Sequence, residues 1–242
     1  MKVLISPTSL EEARLAAEGG ADIIDVKNTS EGSLGANFPW VIREIVDGLR
    51  EYPVTFSATL GDLPFKPGTA SLAAAGAAAS GAQYVKAGLY GTRTLDEAIT
   101  LMQSVSRACR EYDPAITVVA AGYADYRRFN GLPPQTIVQA AARSQANVVM
   151  IDTAIKDGST LFDNMSVGAI RTFIAMAHEH HLAVALAGSI GTSHVPLLKE
   201  LSPDIVGVRG AVCGNNDRST AIHLARVRDF VSRIHCSDSG SA

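Results

Sequence analysis

The 242-residue chain reads as a single-domain (β/α)8 barrel, the TIM-barrel class, and three observations predict it. Short β-branched or aliphatic runs alternate with longer helical patterns, which is the signature of parallel βα units. Eight such runs can be counted, each followed by one helical pattern, in a length close to the roughly 250 residues of a closed barrel. No dinucleotide-type glycine loop follows the first run, which weakens the alternative of an open doubly wound sheet.

The first strand is Val3-Leu4-Ile5, in an apolar stretch too short for a signal peptide, and its helix over 9–18 opens on Thr8 or Ser9 with Glu11 and Glu12 in the first turn. Gly20-Ala21-Asp22 stops that helix, and Ile23-Ile24-Asp25-Val26 forms the second strand, with a helix over 39–50. The third unit is Val54-Thr55-Phe56-Ser57 with an alanine-rich helix over 71–80. Gly81-Ala82-Gln83 then precedes Tyr84-Val85-Lys86, whose helix over 95–112 takes Thr94 as its cap and Asp96 and Glu97 in its first turn. The fifth unit is Ile116-Thr117-Val118-Val119 with a helix over 134–144, and Gln145-Ala146-Asn147 leads into Val148-Val149-Met150-Ile151 with a helix over 167–181. Ala183-Val184-Ala185-Leu186 and Ile205-Val206-Gly207-Val208 complete the set, with helices over 195–201 and 218–234. No Pro/Ser/Gly-rich or charge-rich linker divides the chain, so residues 1–236 are expected to form one catalytic barrel, with a disordered tail over 237–242.

Composition narrows the function. Hydrophobic residues make up 47% of the chain, enough for a sizeable core. Mean hydropathy is +0.14 and no run of about 18 apolar residues occurs, which predicts a cytoplasmic protein with no membrane partner. A formal net charge of −3, from 21 Lys+Arg against 24 Asp+Glu, leaves no basic footprint for nucleic acid. Cys109, Cys213 and Cys236 lack metal-ligand or disulfide spacing, so no metal is expected. His178-Glu179-His180-His181 lacks the paired histidine spacing of a zinc site and fits a solvated helix end. Alanine-rich stretches such as 73–79 suit close helix packing within the ring or in a homo-oligomer.

In a barrel, chemistry gathers where the strands end. Strand two brings Asp25 and Lys27 there, two apart and so on one side; strand four brings Lys86; strand six brings Asp152, with Lys156 in its loop; strand eight brings Arg209. Strand interiors rarely tolerate an ammonium, because a buried charge costs several kcal/mol unless it is paired or its pKa falls. Lys27 could simply pair with Asp25, yet three amines and a guanidinium against two carboxylates is an excess that lowers lysine pKa values and suits an anionic substrate. The loops after strands seven and eight are glycine-rich, and Gly188, Ser189, Gly207, Arg209 and Gly210 are the expected phosphate-binding residues. A lysine of lowered pKa attacks a carbonyl to give a Schiff base, and a second amine can move protons, which together predict aldolase-like chemistry on small sugar phosphates without a cofactor.

The segments 25–36 (Asp-Val-Lys-Asn-Thr-Ser-Glu-Gly-Ser-Leu-Gly-Ala), 84–90 and 151–158 resemble the (5-formylfuran-3-yl)methyl phosphate synthase family, also called 4-(hydroxymethyl)-2-furancarboxaldehyde-phosphate synthase, over nearly the whole chain. The resemblance implies that two glyceraldehyde 3-phosphate molecules are joined, with loss of one phosphate and two waters, to supply the furan of methanofuran-type one-carbon cofactors. It implies Lys27 as the Schiff-base lysine and Lys86 as a proton acceptor, with Asp25, Asp152 and Lys156 at further active-site positions, and no metal or nicotinamide. An ordinary class I aldolase acting on another sugar phosphate is the alternative, and it would stop at the aldol adduct without releasing phosphate.

Overall fold

A computed structural model describes residues 1–236; the expected disordered tail, 237–242, lies outside the described residues. Eight parallel strands close into a barrel in chain order: β1 Lys2–Ile5, β2 Ile23–Val26, β3 Thr55–Pro64, β4 Tyr84–Gly91, β5 Thr117–Tyr123, β6 Val148–Asp152, β7 Ala183–Leu186 and β8 Ile205–Val208. The seam is β1 against β8, where Lys2 to Ile5 run beside Ile205 to Val208. The outer ring is α1 Leu10–Glu18, α2 Pro39–Gly48, α3 Pro67–Ala79, α4 Leu95–Tyr112, α5 Pro134–Arg143, α6 Leu161–Asn164, α7 Val167–Glu179, α8 Val195–Leu201 and α9 Leu224–His235. None of these helices is long and apolar enough to cross a membrane.

The helix starts follow local chemistry. Ser9 and Thr94 accept the amides of Glu12 and Glu97, capping α1 and α4, whereas α2, α3 and α5 each begin on a proline whose missing N–H would have had no partner there. Alanines 70, 74, 77 and 78 form the buried face of α3 and let it lie close to the sheet. The core has two layers. Branched residues such as Val3, Ile24, Val85 and Val149 point outward under the helices, while Leu4, Ile23, Val119, Met150 and Ile205 fill the barrel interior.

Four departures from the sequence expectation matter to the site. Strand β3 continues to Pro64 beside a lengthened β4, with register irregularities between Thr59 and Pro64, so Gly61 and Pro64 are part of a ribbon that rises above the mouth. Helix α3 starts at Pro67, four residues before the expected 71. Two helices follow β6, because Thr160 and Asp163 form a reciprocal cap that nucleates α6 within the loop. The last helix begins at Leu224 rather than 218, since Cys213 and Ile222 pair and fold the intervening residues into a long β8 loop.

Candidate active site

Asp25 is fully buried at the end of β2, and its carboxylate is saturated by donors from neighbouring strands. Ser6 Oγ donates to Oδ2 at 2.9 Å, Ser57 Oγ donates to Oδ1 at 2.8 Å, and Lys86 Nζ donates to both oxygens at 2.9 and 3.0 Å. Strand register explains the meeting, because Asp25 lies beside Ser57 and the next strand carries Lys86 beside Thr59. Burial pushes the Asp25 carboxyl up, but Lys86 and Lys27 outweigh it and hold the group below its usual range. Asp25 does not pair with Lys27, the simpler alternative the sequence leaves open: Lys86, 1% exposed, occupies Asp25 and lies behind the cavity wall.

Lys27 is left as the buried amine with no hydrogen bond or ion pair among the described residues. Burial pushes its pKa down to about 8; Asp152 and Asp25 pull it up, and Lys86 and Lys156 push it further down. Across the barrel, Lys156 Nζ donates to Asp152 Oδ1 at 2.7 Å and to Thr153 Oγ1 at 3.0 Å. Burial raises the Asp152 carboxyl, yet Lys156 and Lys27 outweigh it and bring its pKa to about 2. Lysines 27, 86 and 156 therefore face two aspartates, an excess of one cation.

The mouth is roofed by the loop after β2. Its run Gly32 to Gly35 lays Leu34, which is fully buried, onto the interior apolar layer like a plug. Ser33 Oγ donates to Thr153 O at 2.8 Å, tying this roof to the β6 loop, and Thr59 Oγ1 donates to Gly35 O at 2.6 Å. Asp62 accepts the Leu34 amide and the Tyr123 hydroxyl, and Asp125 accepts the amides of Ala154 and Ile155, both at 2.8 Å, steadying the segment that carries Lys156. Burial first, then Asp62, pushes the Tyr123 phenol well above its usual value, so it stays a donor. Asp62 lies beyond Ser57, where the apolar run of the third strand stops in the sequence; Tyr123 and Asp125 follow the fifth apolar run, a position that fits a cavity lining or a loop surface equally, and the structure sets Tyr123 at the end of β5.

A cavity of about 370 Å³ opens beside this cluster and is lined by Asp25, Lys27, Asp152 and Lys156 on one side and by the β7 and β8 loops on the other. Gly188, Ser189, Gly207, Arg209 and Gly210 all lie on its wall. Gly188 takes a φ of +111° and Ser189 one of +50°, a left-handed turn in which a Gly188 side chain would press on Thr153. The amides of Gly188, Ser189, Gly210 and Ala211 have no partner among the described residues, as an oxyanion cradle requires. The Arg209 guanidinium does not join that cradle. It is spent on Glu12 at 2.8 Å, on Ser6 O at 2.9 Å, and on the carbonyls of Arg218 and Thr220, so Arg209 bolts the β8 loop to α1. The reason is Glu12, whose buried carboxylate in the first turn of α1 gave no sequence sign of reaching across the barrel seam.

The family model described as 4-HFC-P synthase matches residues 3–231. The chain belongs to the 4-HFC-P synthase family. Within that family, it is 54% identical over 235 residues to the (5-formylfuran-3-yl)methyl phosphate synthase of Archaeoglobus fulgidus, covering 97% of this chain and all of the relative. It is also 54% identical over 231 residues to the enzyme of that name from Methanothermobacter thermautotrophicus, covering 95% of this chain and 97% of the relative. This 4-HFC-P synthase family member is therefore an enzyme. Its fold resembles 3-hexulose-6-phosphate synthase of Salmonella typhimurium (TM-score 0.64, 18% identity, 97% and 100% of the two chains covered). Phosphoribosyl anthranilate isomerase of Thermus thermophilus is similar as well (TM-score 0.61, 17% identity, 97% and 98% covered).

Proposed function

We propose that this enzyme condenses two molecules of glyceraldehyde 3-phosphate into 4-(hydroxymethyl)-2-furancarboxaldehyde phosphate on a Lys27 Schiff base, a step toward methanofuran- or methylofuran-type cofactors. The observation that carries the reading is Lys27: a buried amine of pKa about 8, without a hydrogen-bonding partner among the described residues, on the wall of the cavity. At pH 7.5 roughly a quarter of such an amine is neutral, against roughly one in a thousand for an ordinary lysine. The neutral amine adds to a triose carbonyl and loses water to give a protonated imine; when a base removes the proton from the neighbouring carbon, the electrons of that C–H bond move toward the iminium nitrogen and leave an enamine.

Proton transfer in this account runs through Asp25, which lines the cavity, with Lys86 acting behind it as the pair's second member. Lys156, fixed by Asp152 and Thr153, returns protons to departing hydroxide, and its charge suits the departing phosphate. The atoms balance: two trioses carry six carbons and two phosphates, and loss of one phosphate and two waters leaves a monophosphorylated furan aldehyde. The names of the relatives support the product, and the cradle of amides supports a phosphorylated substrate.

The test is to incubate the purified enzyme with glyceraldehyde 3-phosphate in chelator and follow products by mass spectrometry together with free phosphate. Furan aldehyde phosphate and inorganic phosphate are expected in equal amounts. A six-carbon bisphosphate without released phosphate would make it an ordinary class I aldolase, and an unchanged substrate would contradict both.

A further inference from the structure

Arg218 stands on the wall of the same cavity, half-buried in the long β8 loop. Its guanidinium makes no hydrogen bond and no ion pair among the described residues, which sets it apart from Arg209, whose donors are consumed by Glu12 and three carbonyls. Its backbone carbonyl is one of those three, so Arg209 anchors the residue that carries the unpaired cation. Arg218 also abuts the amide cradle: a Cβ placed on Gly210 would lie 3.9 Å from Arg218 N and 4.0 Å from its Cβ. Asp217, its neighbour in the chain and on the same wall, is occupied by the amide and hydroxyl of Ser219 at 2.9 and 2.7 Å.

We infer that Arg218 is the side chain that binds the substrate phosphate and sets the preference for phosphorylated over unphosphorylated trioses, with the amides of Gly188, Ser189, Gly210 and Ala211 completing the shell. A guanidinium offers a planar fork to two phosphate oxygens, whereas backbone amides contribute single donors without net charge. The two arginines of the loop thus divide the work: Arg209 fixes the loop and Arg218 meets the ligand. The inference rests on the proposed triose phosphate reading only for the natural ligand, since the anion site itself is tested with inorganic phosphate.

The experiment measures inorganic phosphate binding by titration calorimetry to the wild-type enzyme, Arg218→Ala and Arg218→Lys. It also measures KM and kcat/KM for glyceraldehyde 3-phosphate. Charge-assisted hydrogen bonds of this kind predict a 10- to 100-fold loss of phosphate affinity in Arg218→Ala, a similar rise in KM, and partial recovery in Arg218→Lys. Borohydride trapping of Lys27 by glyceraldehyde, which has no phosphate, checks that each variant keeps its amine and its fold. No phosphate binding by the wild type, or equal binding by wild type and Arg218→Ala, would overturn the inference. If the wild type makes no furan product yet Arg218→Ala loses phosphate binding, the site stands and the proposed reaction falls.

Discussion

Lys27 illustrates how a single residue acquires its chemistry from depth. Removal from water favours the neutral amine, and the two carboxylates nearby limit the fall so that its pKa settles at about 8. Because the neutral form is the nucleophile, the rate of imine trapping by a triose is expected to climb with pH and level off above about 8. Asp25 is one of the groups pulling the value up, so Asp25→Asn should move that limb to lower pH. A limb near the ordinary lysine value would show that the amine is not desolvated. The same substitution leaves the Lys86 ammonium buried without its partner, a loss of about 3–5 kcal/mol that a denaturant melt would register. At this scale the sequence announced the lysines and aspartates through their strand-end spacing. It could not announce Glu12, because Glu12 reads as an ordinary helix first-turn acid until the barrel closes and brings it to Arg209.

The element that most shapes the site is the loop after β2. It returns on itself through the Asn28 amide and the Gly35 carbonyl at 2.9 Å, and a Cβ on Gly35 would run into the Asn28 carbonyl. Backbone cannot yield as a flexible side chain can, so Gly35→Ala should cost about 1–3 kcal/mol, lower the melting temperature by roughly 2–4 °C per kcal/mol, and reduce turnover by tilting Lys27. A variant with unchanged melting and turnover would mean that the roof does not hold the amine. The run Gly32-Ser33-Leu34-Gly35 was conspicuous in the sequence as a specific motif, but its task of plugging the barrel with Leu34 depends on contacts to Thr59, Asp62 and Thr153, which no local pattern encodes. Strand positions were legible because buried parallel strands are continuous apolar runs; the extension of β3 was not, because Gly61 and Pro64 carry turn chemistry.

For the molecule as a whole, three buried carboxylates, Asp25, Asp152 and Glu12, titrate below their ordinary values when folded. Each therefore favours the folded state above the unfolded pKa near 4, and that contribution is lost as pH falls toward the folded values, about 2 for Asp152. Thermal melts should be steady near neutrality and drop between about pH 4 and 2, with a shallower drop in Asp152→Asn; an equal drop in that variant would place the acid sensitivity elsewhere. The closed barrel gathers all these groups at one end of the sheet, and its central amine is Lys27. The most direct measurement is borohydride reduction of the enzyme with glyceraldehyde 3-phosphate, followed by peptide mass spectrometry. A reduced triose adduct on Lys27, absent from Lys27→Arg and from Lys86 and Lys156, is the predicted result; an adduct on either of the other lysines, or none at all, would contradict the account.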